Sequence, residues 1–307
     1  MPSFFETFSL SDKNNQLLQD HSRNYSQQQY VYPVVSRRSR GISIGINMSP
    51  TGLCNFHCVY CQVLGESRLT ETQRQQPMPA IALDVLENEL RQTLTAAING
   101  ELFRQGVFSQ TPQPMRHIND IAFSGNGEPT LSPQFYQAVQ VAANVRRELN
   151  ADNVKLVVIT NATQLQRHEI VAAMETLFAN HGEVWAKLDA GTDSYYKKID
   201  RSHVPFDTII NNITTLAKQR PLVIQTMLLK LHGEPIADQE VRAYIERIQK
   251  ICESGGKIQR IQLYSIARGT AETYAEPLDN TSLDAIAERI RNETHLCIET
   301  FYGIGKS

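Results

Sequence analysis

The sequence predicts an α/β fold, and within that class a partial (βα)6 barrel. Short runs of β-branched residues alternate with segments that carry apolar residues at helical spacing. Six such strand segments lie between residues 42 and 264, and helical patterns lie between them. Strands joined through single helices predict right-handed parallel crossovers. A doubly wound open sheet has the same periodicity and is the alternative.

The predicted strands are 42–46, 118–123, 154–160, 184–188, 222–229 and 260–264. Apolar stripes predict helices at Leu83, Leu86, Leu90 and Leu94, at Ile170, Met174, Leu177 and Phe178, at Phe206, Ile209, Ile213 and Leu216, at Val241, Ile245, Ile248 and Cys252, and at Leu283, Ile286 and Ile290. Residues 1–35 form a polar extension, 36–270 the barrel, and 271–307 a helix and a strand that pack on it. The polar connection 62–79 is predicted to be a lid or a substrate-facing loop, and 100–117 an insertion without chemistry.

Composition narrows the class of protein. The 307 residues are 41% hydrophobic and 20% charged with a formal net charge of −2, so no global field favours nucleic acid or an anionic membrane. The amino terminus has no signal-peptide pattern, and no apolar run is long enough to span a bilayer. Five cysteines, three of them clustered, suit a reducing compartment. A cytoplasmic protein without a membrane partner is expected.

The motif with the clearest chemistry is Cys54, Cys58 and Cys61, spaced C-x3-C-x2-C directly after the first strand. Closely spaced thiolates are the ligands of iron–sulfur clusters, and three of them leave one iron of a four-iron cluster open. The alternative is a structural zinc site completed by His57, although its place directly beside Cys58 makes joint coordination awkward.

Other polar residues follow the carboxyl ends of the later strands, where the chemistry of α/β barrels gathers. They are Gly125, Asn126, Gly127 and Glu128 after the second strand, Thr160 and Asn161 after the third, Lys187 and Asp189 after the fourth, Gln225 in the fifth, and Ile266 after the sixth. Each has a plain structural interpretation: a turn at 124–129, helix capping by Asn161 or Thr163, an ion pair of Lys187 with Asp189, or a core position for Gln225.

Together these segments resemble the radical S-adenosylmethionine (radical SAM) superfamily. Its signature has this cysteine spacing with an aromatic residue before the last cysteine, as Tyr60 is here, and its "GGEP" motif is similar to residues 125–129. The resemblance implies a [4Fe-4S] cluster on the three cysteines, with SAM on the open iron. A one-electron reductant of the flavodoxin or ferredoxin type would drive cleavage of SAM to a 5′-deoxyadenosyl radical. The SAM contacts that it implies are Tyr60, Gly125, Asn126, Gly127, Glu128, Thr160, Asn161, Lys187, Asp189, Gln225 and Ile266.

Residues 30–47 and the fourth and fifth strands look like the wyosine-synthetase-related group, in which members of tRNA wyosine synthesis build a tricyclic base from methylguanosine and pyruvate. This sequence departs from them, since no cysteine precedes Cys54 and Lys13 is the one lysine before the motif. The resemblance therefore does not assign the substrate of the wyosine-synthesis enzymes to this protein.

A nucleoside in tRNA or another RNA is the expected substrate, with Arg37, Arg38 and Arg40 as phosphate contacts and His203 near the substrate. For the arginines a solvated entry loop is the alternative, and for His203 a surface position. A peptide or small metabolite is the alternative substrate. A non-catalytic zinc or iron–sulfur module, or a redox sensor, is the alternative function. Cys252 and Cys297 are expected to be buried apolar residues.

Overall fold

The computed structural model describes residues 25–63, 78–104 and 106–303. Its strands are β1 (Val31–Ser36), β2 (Gly41–Ile46), β3 (Ile118–Phe123), β4 (Lys155–Thr160), β5 (Glu183–Lys187), β6 (Leu222–Met227), β7 (Leu229–Leu231), β8 (Ile258–Tyr264), β9 (Ala275–Pro277) and β10 (Ile298–Phe301). Its α-helices are α1 (Leu83–Ile98), α2 (Phe135–Glu148), α3 (His168–Ala179), α4 (Asp193–Ile199), α5 (Phe206–Gln219), α6 (Asp238–Glu253) and α7 (Asn280–Thr294). Within those ranges, no helix has the length and apolarity needed to cross a membrane.

One eight-stranded sheet carries the fold, in the order β1-β2-β3-β4-β5-β6-β8-β10. From β2 to β10 the neighbouring strands are parallel, and β1 pairs antiparallel with β2. A doubly wound sheet reverses its strand order at a switch point, whereas this order follows the chain. The predicted partial barrel is therefore confirmed, and β7 and β9 form a separate two-stranded sheet.

The six predicted strands correspond to β2, β3, β4, β5, β6 and β8, with ends that differ by at most two residues. Sequence patterns missed β1, which lies across the predicted boundary at residue 36 and forms an edge of the main sheet. They also missed α2, whose buried side mixes three alanines with Phe135, Val139, Val145 and Arg146. Most of the predicted lid at 62–79 lies outside the described residues.

The sheet separates two apolar layers. The larger one lies between the outer face of the sheet and the helices and includes Ile121, Leu156 and Leu263. On the inner face, Ala122, Val157, Trp185 and Val223 form a second cluster, contributed by four adjacent strands. Because side chains alternate along a strand, the residues two positions from these also point inward.

On β4 and β5, the inward-facing side chains two positions before Val157 and Trp185 are charged. Lys155 Nζ lies 2.7 Å from a carboxylate oxygen of Glu183, whose other oxygen lies 2.7 Å from the guanidinium of Arg260. Arg260 Nε is 3.3 Å from Glu299 on the edge strand β10. This network pairs inward-facing charges of β4, β5, β8 and β10, whereas Asp120, opposite Lys155 on β3, is not part of it.

Arginines of the β1–β2 turn connect the two edges of the sheet. Arg37 donates a hydrogen bond to the main-chain oxygen of Tyr302, which follows β10, at 2.8 Å. Arg40 forms a 2.8 Å ion pair with Glu299 in β10. Two of the three arginines predicted to contact phosphate thus make contacts within the chain, across the open side of the barrel.

Candidate active site

The cysteine motif lies in a loop, residues 47–61, at the carboxyl end of β2. Segment 199–202, at the end of α4, holds this loop by main-chain contacts: His57 N donates to Asp200 O, and Val59 N donates to Ile199 O, both at 2.8 Å. The hydroxyl of Ser202 adds a 2.8 Å hydrogen bond to Asn55 O. The predicted substrate contact, His203, directly follows this segment, and the segment itself supports the cysteine loop.

Burial dominates the electrostatics of the thiols. It raises the pKa of Cys54 to about 12, with the carboxylate of Glu128 adding to the effect. The pKa of Cys58 stands well above its usual value, first from burial and then from Asp200, whose Oδ1 accepts from the thiol at 3.4 Å. Thiolates in such surroundings need a strongly cationic partner, and a metal centre is one that deprotonates cysteine. Cysteine is the residue type that iron–sulfur clusters require, but among the described residues no three His, Cys, Asp or Glu side chains are close enough together to hold a single metal ion.

Tyr60 joins the cysteine loop to β5 through a buried polar network. Its hydroxyl donates to Asp189 Oδ2, lies 3.3 Å from Asp200 Oδ1, and accepts from Lys187 Nζ at 2.6 Å. Asp189 Oδ1 in turn accepts from Met227 N at 2.7 Å, which fixes the carboxylate against β6. Lys187 and Asp189 also form the predicted ion pair, at 3.5 Å.

The pKa values of this network follow from burial and from the two carboxylates. Burial is the largest single effect and would lower the pKa of Lys187, but the negative charges around it, that of Asp189 foremost, together outweigh burial, so that pKa stands well above its usual value. For Asp200, burial first and then the neighbouring Asp189 raise the pKa well above its usual value. Lys187 therefore holds its proton, and its ammonium group offsets the charge of Asp189.

Glu128 braces the turn after β3 against the end of β4. One carboxylate oxygen accepts from Thr130 N and from the hydroxyls of Thr130 and Thr160, and the other accepts from Asn161 N at 2.7 Å. Asn161 Oδ1 accepts from Thr163 N at 3.2 Å, and its amide donates to Asn55 Oδ1 at 2.7 Å. The predicted helix capping by Asn161 or Thr163 is wrong, because α3 begins at His168 and its N-cap, Arg167, has no side-chain cap. Asn161 instead closes a local turn to Thr163 and reaches the cysteine loop.

Two glycines let this turn approach the cysteine loop closely. A Cβ on Gly127 would lie 2.0 Å from Leu53 O, one residue before Cys54. Gly125 has a φ of +139°, and a Cβ there would lie 2.6 Å from Asn47 Oδ1. Side chains at these two positions would push the turn away from the cysteine loop.

A cavity of about 330 Å³ opens at this end of the barrel. The predicted residues that line it are Cys54, Cys58, Cys61, Tyr60, Gly125, Asn126, Gly127, Glu128, Asn161, Lys187, Gln225, Arg37 and Arg38. Gln225 faces the cavity and donates to Gln262 Oε1 at 2.9 Å. The cysteine motif and the 125–128 turn, separated by about sixty residues in sequence, thus share one cavity.

Five predicted residues do not line this cavity. Thr160 and Asp189 lie behind its wall and hold Glu128 and Tyr60, while Ile266 is buried. Arg40 pairs with Glu299, and His203 is exposed on the loop that follows α4.

Sequence reasoning missed several cavity residues, among them Tyr32, Ser43, Asp120, Trp185 and Tyr264. Asp120 is buried and accepts from the hydroxyl of Ser43. Burial raises its pKa to about 6, although the Ser43 hydrogen bond acts in the opposite direction. The available signal was the period of two within each strand, which places Asp120 and Ala122 on one face.

Two solved structures share this architecture over most of the chain. A structure of TYW1 with a lysine–pyruvate adduct bound has a TM-score of 0.54 at 16% identity and covers 96% of this chain and 84% of the other. A radical SAM methyltransferase from Sphaerobacter thermophilus has a TM-score of 0.57 at 13% identity, with coverages of 91% and 71%. The chain has the fold of the radical SAM enzymes. The predicted resemblance is thereby confirmed at the level of the fold.

Curated relatives are more similar in sequence but longer than the region matched. The GTPase Obg of Brachyspira hyodysenteriae is 26% identical over 256 residues, 82% of this chain and 32% of that protein. UPF0026 protein MJ1312 of Methanocaldococcus jannaschii is 25% identical over 201 residues, 64% of this chain and 53% of that protein. The chain spans about a third to a half of the length of these relatives. No family model matches the sequence.

In the radical SAM fold of this chain, the cysteine loop and the 125–128 turn follow adjacent parallel strands, β2 and β3. Their proximity is a direct consequence of strand order, because the carboxyl ends of neighbouring parallel strands meet at one edge.

Proposed function

We propose that the protein is a radical SAM enzyme whose Cys54, Cys58 and Cys61 hold a [4Fe-4S] cluster. The observation that carries the proposal is that these three residues and the 125–128 turn line one cavity at the carboxyl end of a partial barrel. When bound and reduced, the cluster supplies the electron that splits SAM into methionine and a 5′-deoxyadenosyl radical, which takes a hydrogen atom from the substrate.

The residues of the chain itself bind and orient SAM and the substrate. In this proposal the 125–127 backbone and Asn161 face the methionyl end of SAM, and the ammonium of Lys187 attracts its carboxylate while Asp189 keeps that lysine charged. Gln225 lines the same cavity and presents an amide group to the adenosyl part or the substrate. The apolar layer around Trp185 excludes water from the inner end, so that the radical meets only a positioned hydrogen atom.

The electron is expected to come from a flavodoxin- or ferredoxin-type protein. A zinc or iron–sulfur module without catalysis is the alternative. Metal and sulfide content after anaerobic purification and reconstitution distinguishes them, since about four irons and four sulfides per chain indicate a cubane and one zinc indicates the module.

The substrate class is less constrained than the cofactor. RNA is expected from the resemblance, but Arg37 and Arg40 are engaged with Tyr302 and Glu299 rather than presented together to a phosphate backbone. The TYW1 neighbour holds a lysine–pyruvate adduct. Among the described residues, Lys187 is the lysine that lines the cavity, and its raised pKa opposes attack on a carbonyl. A reaction through such an adduct is therefore not proposed.

The test is SAM cleavage by the reconstituted, dithionite-reduced protein, followed as 5′-deoxyadenosine. Alanine at Cys54, Cys58 or Cys61 is expected to abolish it and to lower the iron content. Cys252 is partly buried and Cys297 is exposed, so the expectation that both are buried is wrong. Both lie outside the cavity, and serine at either position provides a matched control that keeps SAM cleavage and iron content. Cleavage that persists in a variant without the cluster would refute the proposal.

A further inference from the structure

We propose that the cavity wall between the β1–β2 turn and β8 is a subsite for an anionic group, carboxylate or phosphate, of a small substrate, and that Arg38 binds it. This inference rests on the proposed function in that the bound group belongs to the molecule from which hydrogen is taken. It assigns a substrate chemistry to a part of the cavity that neither the cysteine loop nor the 125–128 turn occupies.

Arg38 is held in position by an aromatic ring. Its guanidinium carbon lies 5.1 Å from the centroid of Tyr264, the last residue of β8, and both residues line the cavity. Stacking on a ring orients a guanidinium and leaves its edge N–H groups free to donate. Across the described residues, no carboxylate forms an ion pair with Arg38. Its donors are therefore available to a ligand.

A second arginine strengthens the positive potential at this wall. Arg37, the preceding residue, also lines the cavity and donates to Tyr302 O. Burial, and then the charge of Arg38, lower the pKa of Arg37 to about 10. The two guanidinium groups repel each other, and an anion between β1 and β8 would offset that repulsion.

The carboxylates that face the same cavity are engaged elsewhere. Asp120 accepts from Ser43, and Glu128 accepts from Thr130, Thr160 and Asn161. Lys187 lies 3.5 Å from Asp189 and is assigned in the proposed function to the SAM carboxylate, so it is not part of this wall. The positive charge of Arg38 in this wall is therefore not neutralised by the carboxylates of the cavity. An uncompensated cation of this kind is the arrangement expected of an anion subsite.

Location favours a small molecule over RNA. Arg38 is partly buried and lines the cavity, with its guanidinium against Tyr264, whereas Arg40 at the end of the same turn has a side chain that is 59% exposed. A cavity of about 330 Å³ is at the lower end of the range for small-molecule sites. A phosphate backbone would need cations on the outer surface.

The protein carries its own reporter for the test. Trp185 is the one tryptophan of the sequence and lines this cavity, so its fluorescence responds to ligands there. Inorganic phosphate and succinate, titrated at constant ionic strength into the full-length reconstituted protein, are expected to change the emission saturably, and the neutral isostere succinamide is not. Arg38→Gln should weaken the binding of phosphate or succinate at least tenfold, and Arg38→Lys should weaken it less. The control Arg242→Gln, at an exposed position of α6, should leave the affinity unchanged.

Four outcomes would overturn the inference: no saturable response to either anion, unchanged affinity in folded Arg38→Gln, loss of SAM binding in that variant with anion affinity intact, or tRNA binding that needs Arg38 when small anions do not bind. Circular dichroism and the melting temperature establish that each variant is folded. The titration needs no turnover. Anion binding without SAM cleavage would therefore count against the proposed function alone, and cleavage without anion binding against the subsite alone.

Discussion

The ammonium nitrogen of Lys187 lies 2.6 Å from the hydroxyl oxygen of Tyr60 and 4.6 Å from the centroid of the same ring. This contact joins the last strand residue of β5 to the residue before Cys61. Since Asp189 is buried beside the same hydroxyl, the lysine is the cation that offsets its charge. The cysteine loop is thus anchored by a charged group inside the barrel.

Replacing Lys187 by Met should therefore cost far more stability than an exposed lysine does. The change leaves the Asp189 carboxylate buried without a counter-charge, which typically costs about 3–5 kcal/mol. Urea denaturation at pH 7 measures the free energy of unfolding. Lys198→Met, at an exposed position of α4, is the matched control, with an expected change within about 0.5 kcal/mol. Equal effects of the two substitutions would show that the network does not stabilise the fold.

Glu128→Gln tests the brace between the turn after β3 and β4. A glutamine has one acceptor oxygen, so its amide NH2 faces either the Asn161 N–H or the donors of Thr130 and Thr160. Leaving a buried donor unpaired costs about 1–3 kcal/mol, and the free energy of unfolding should fall by that amount. Faster hydrogen exchange at the Asn161 amide would locate the effect. Glu175→Gln, exposed on α3, should change neither quantity.

Most of the fold was predictable because its signals are local. Runs of β-branched residues predicted β2, β3, β4, β5, β6 and β8. Because functional residues of parallel α/β folds lie at the carboxyl ends of the strands, the cysteine motif was expected near the 125–128 turn. Two segments were missed. β1 is as long as β2 but contains Pro33, which argues against a strand except at the edge of a sheet, where β1 lies. The buried side of α2 mixes three alanines with larger residues and with Arg146.

The site was predictable only where a motif is contiguous. Asp200 contacts Cys58 across 142 positions, and nothing in the local sequence indicates which loop it will meet. Glu128 was expected to face a ligand, yet much of its hydrogen-bonding capacity is directed to Thr130, Thr160 and Asn161. The resemblance of the motifs to a known family was enough to locate the cavity. Which residues line the cavity and which hold the lining residues in place could be seen only from the tertiary contacts.

Asp120 should make stability depend on pH between about 4 and 6. Its pKa in the folded protein is about 6 against 3.8 as the reference value, so the folded state binds the proton more tightly than the unfolded state does. The contribution of this group is therefore full below about pH 4 and is lost as the pH rises towards 6, by about 3 kcal/mol at 1.36 kcal/mol per pKa unit.

Asp120→Asn removes that dependence while it keeps an oxygen for Ser43. Relative to the native protein, the variant should gain about 3 kcal/mol in free energy of unfolding between pH 4 and pH 7, measured by urea denaturation at each pH. Asp207→Asn, at an exposed position, is the control. Its difference from the native protein in free energy of unfolding should change by much less than about 3 kcal/mol between pH 4 and pH 7. A pH profile of Asp120→Asn parallel to that of the native protein would contradict the prediction.

Gly127→Ala should disrupt the cysteine loop through steric contact. An added Cβ would lie 2.0 Å from Leu53 O, a main-chain atom that cannot rotate away, so the turn and the loop must separate. We expect a loss of about 1–3 kcal/mol in the free energy of unfolding, together with less iron retained after reconstitution, because Cys54 follows Leu53 directly. Gly233→Ala is the comparison: φ there is +81° and nothing lies within 4 Å, so its cost of about 1 kcal/mol is backbone strain alone. Full iron content in folded Gly127→Ala would mean that the cysteine loop tolerates displacement of the turn, and that their close approach is not required for the cluster.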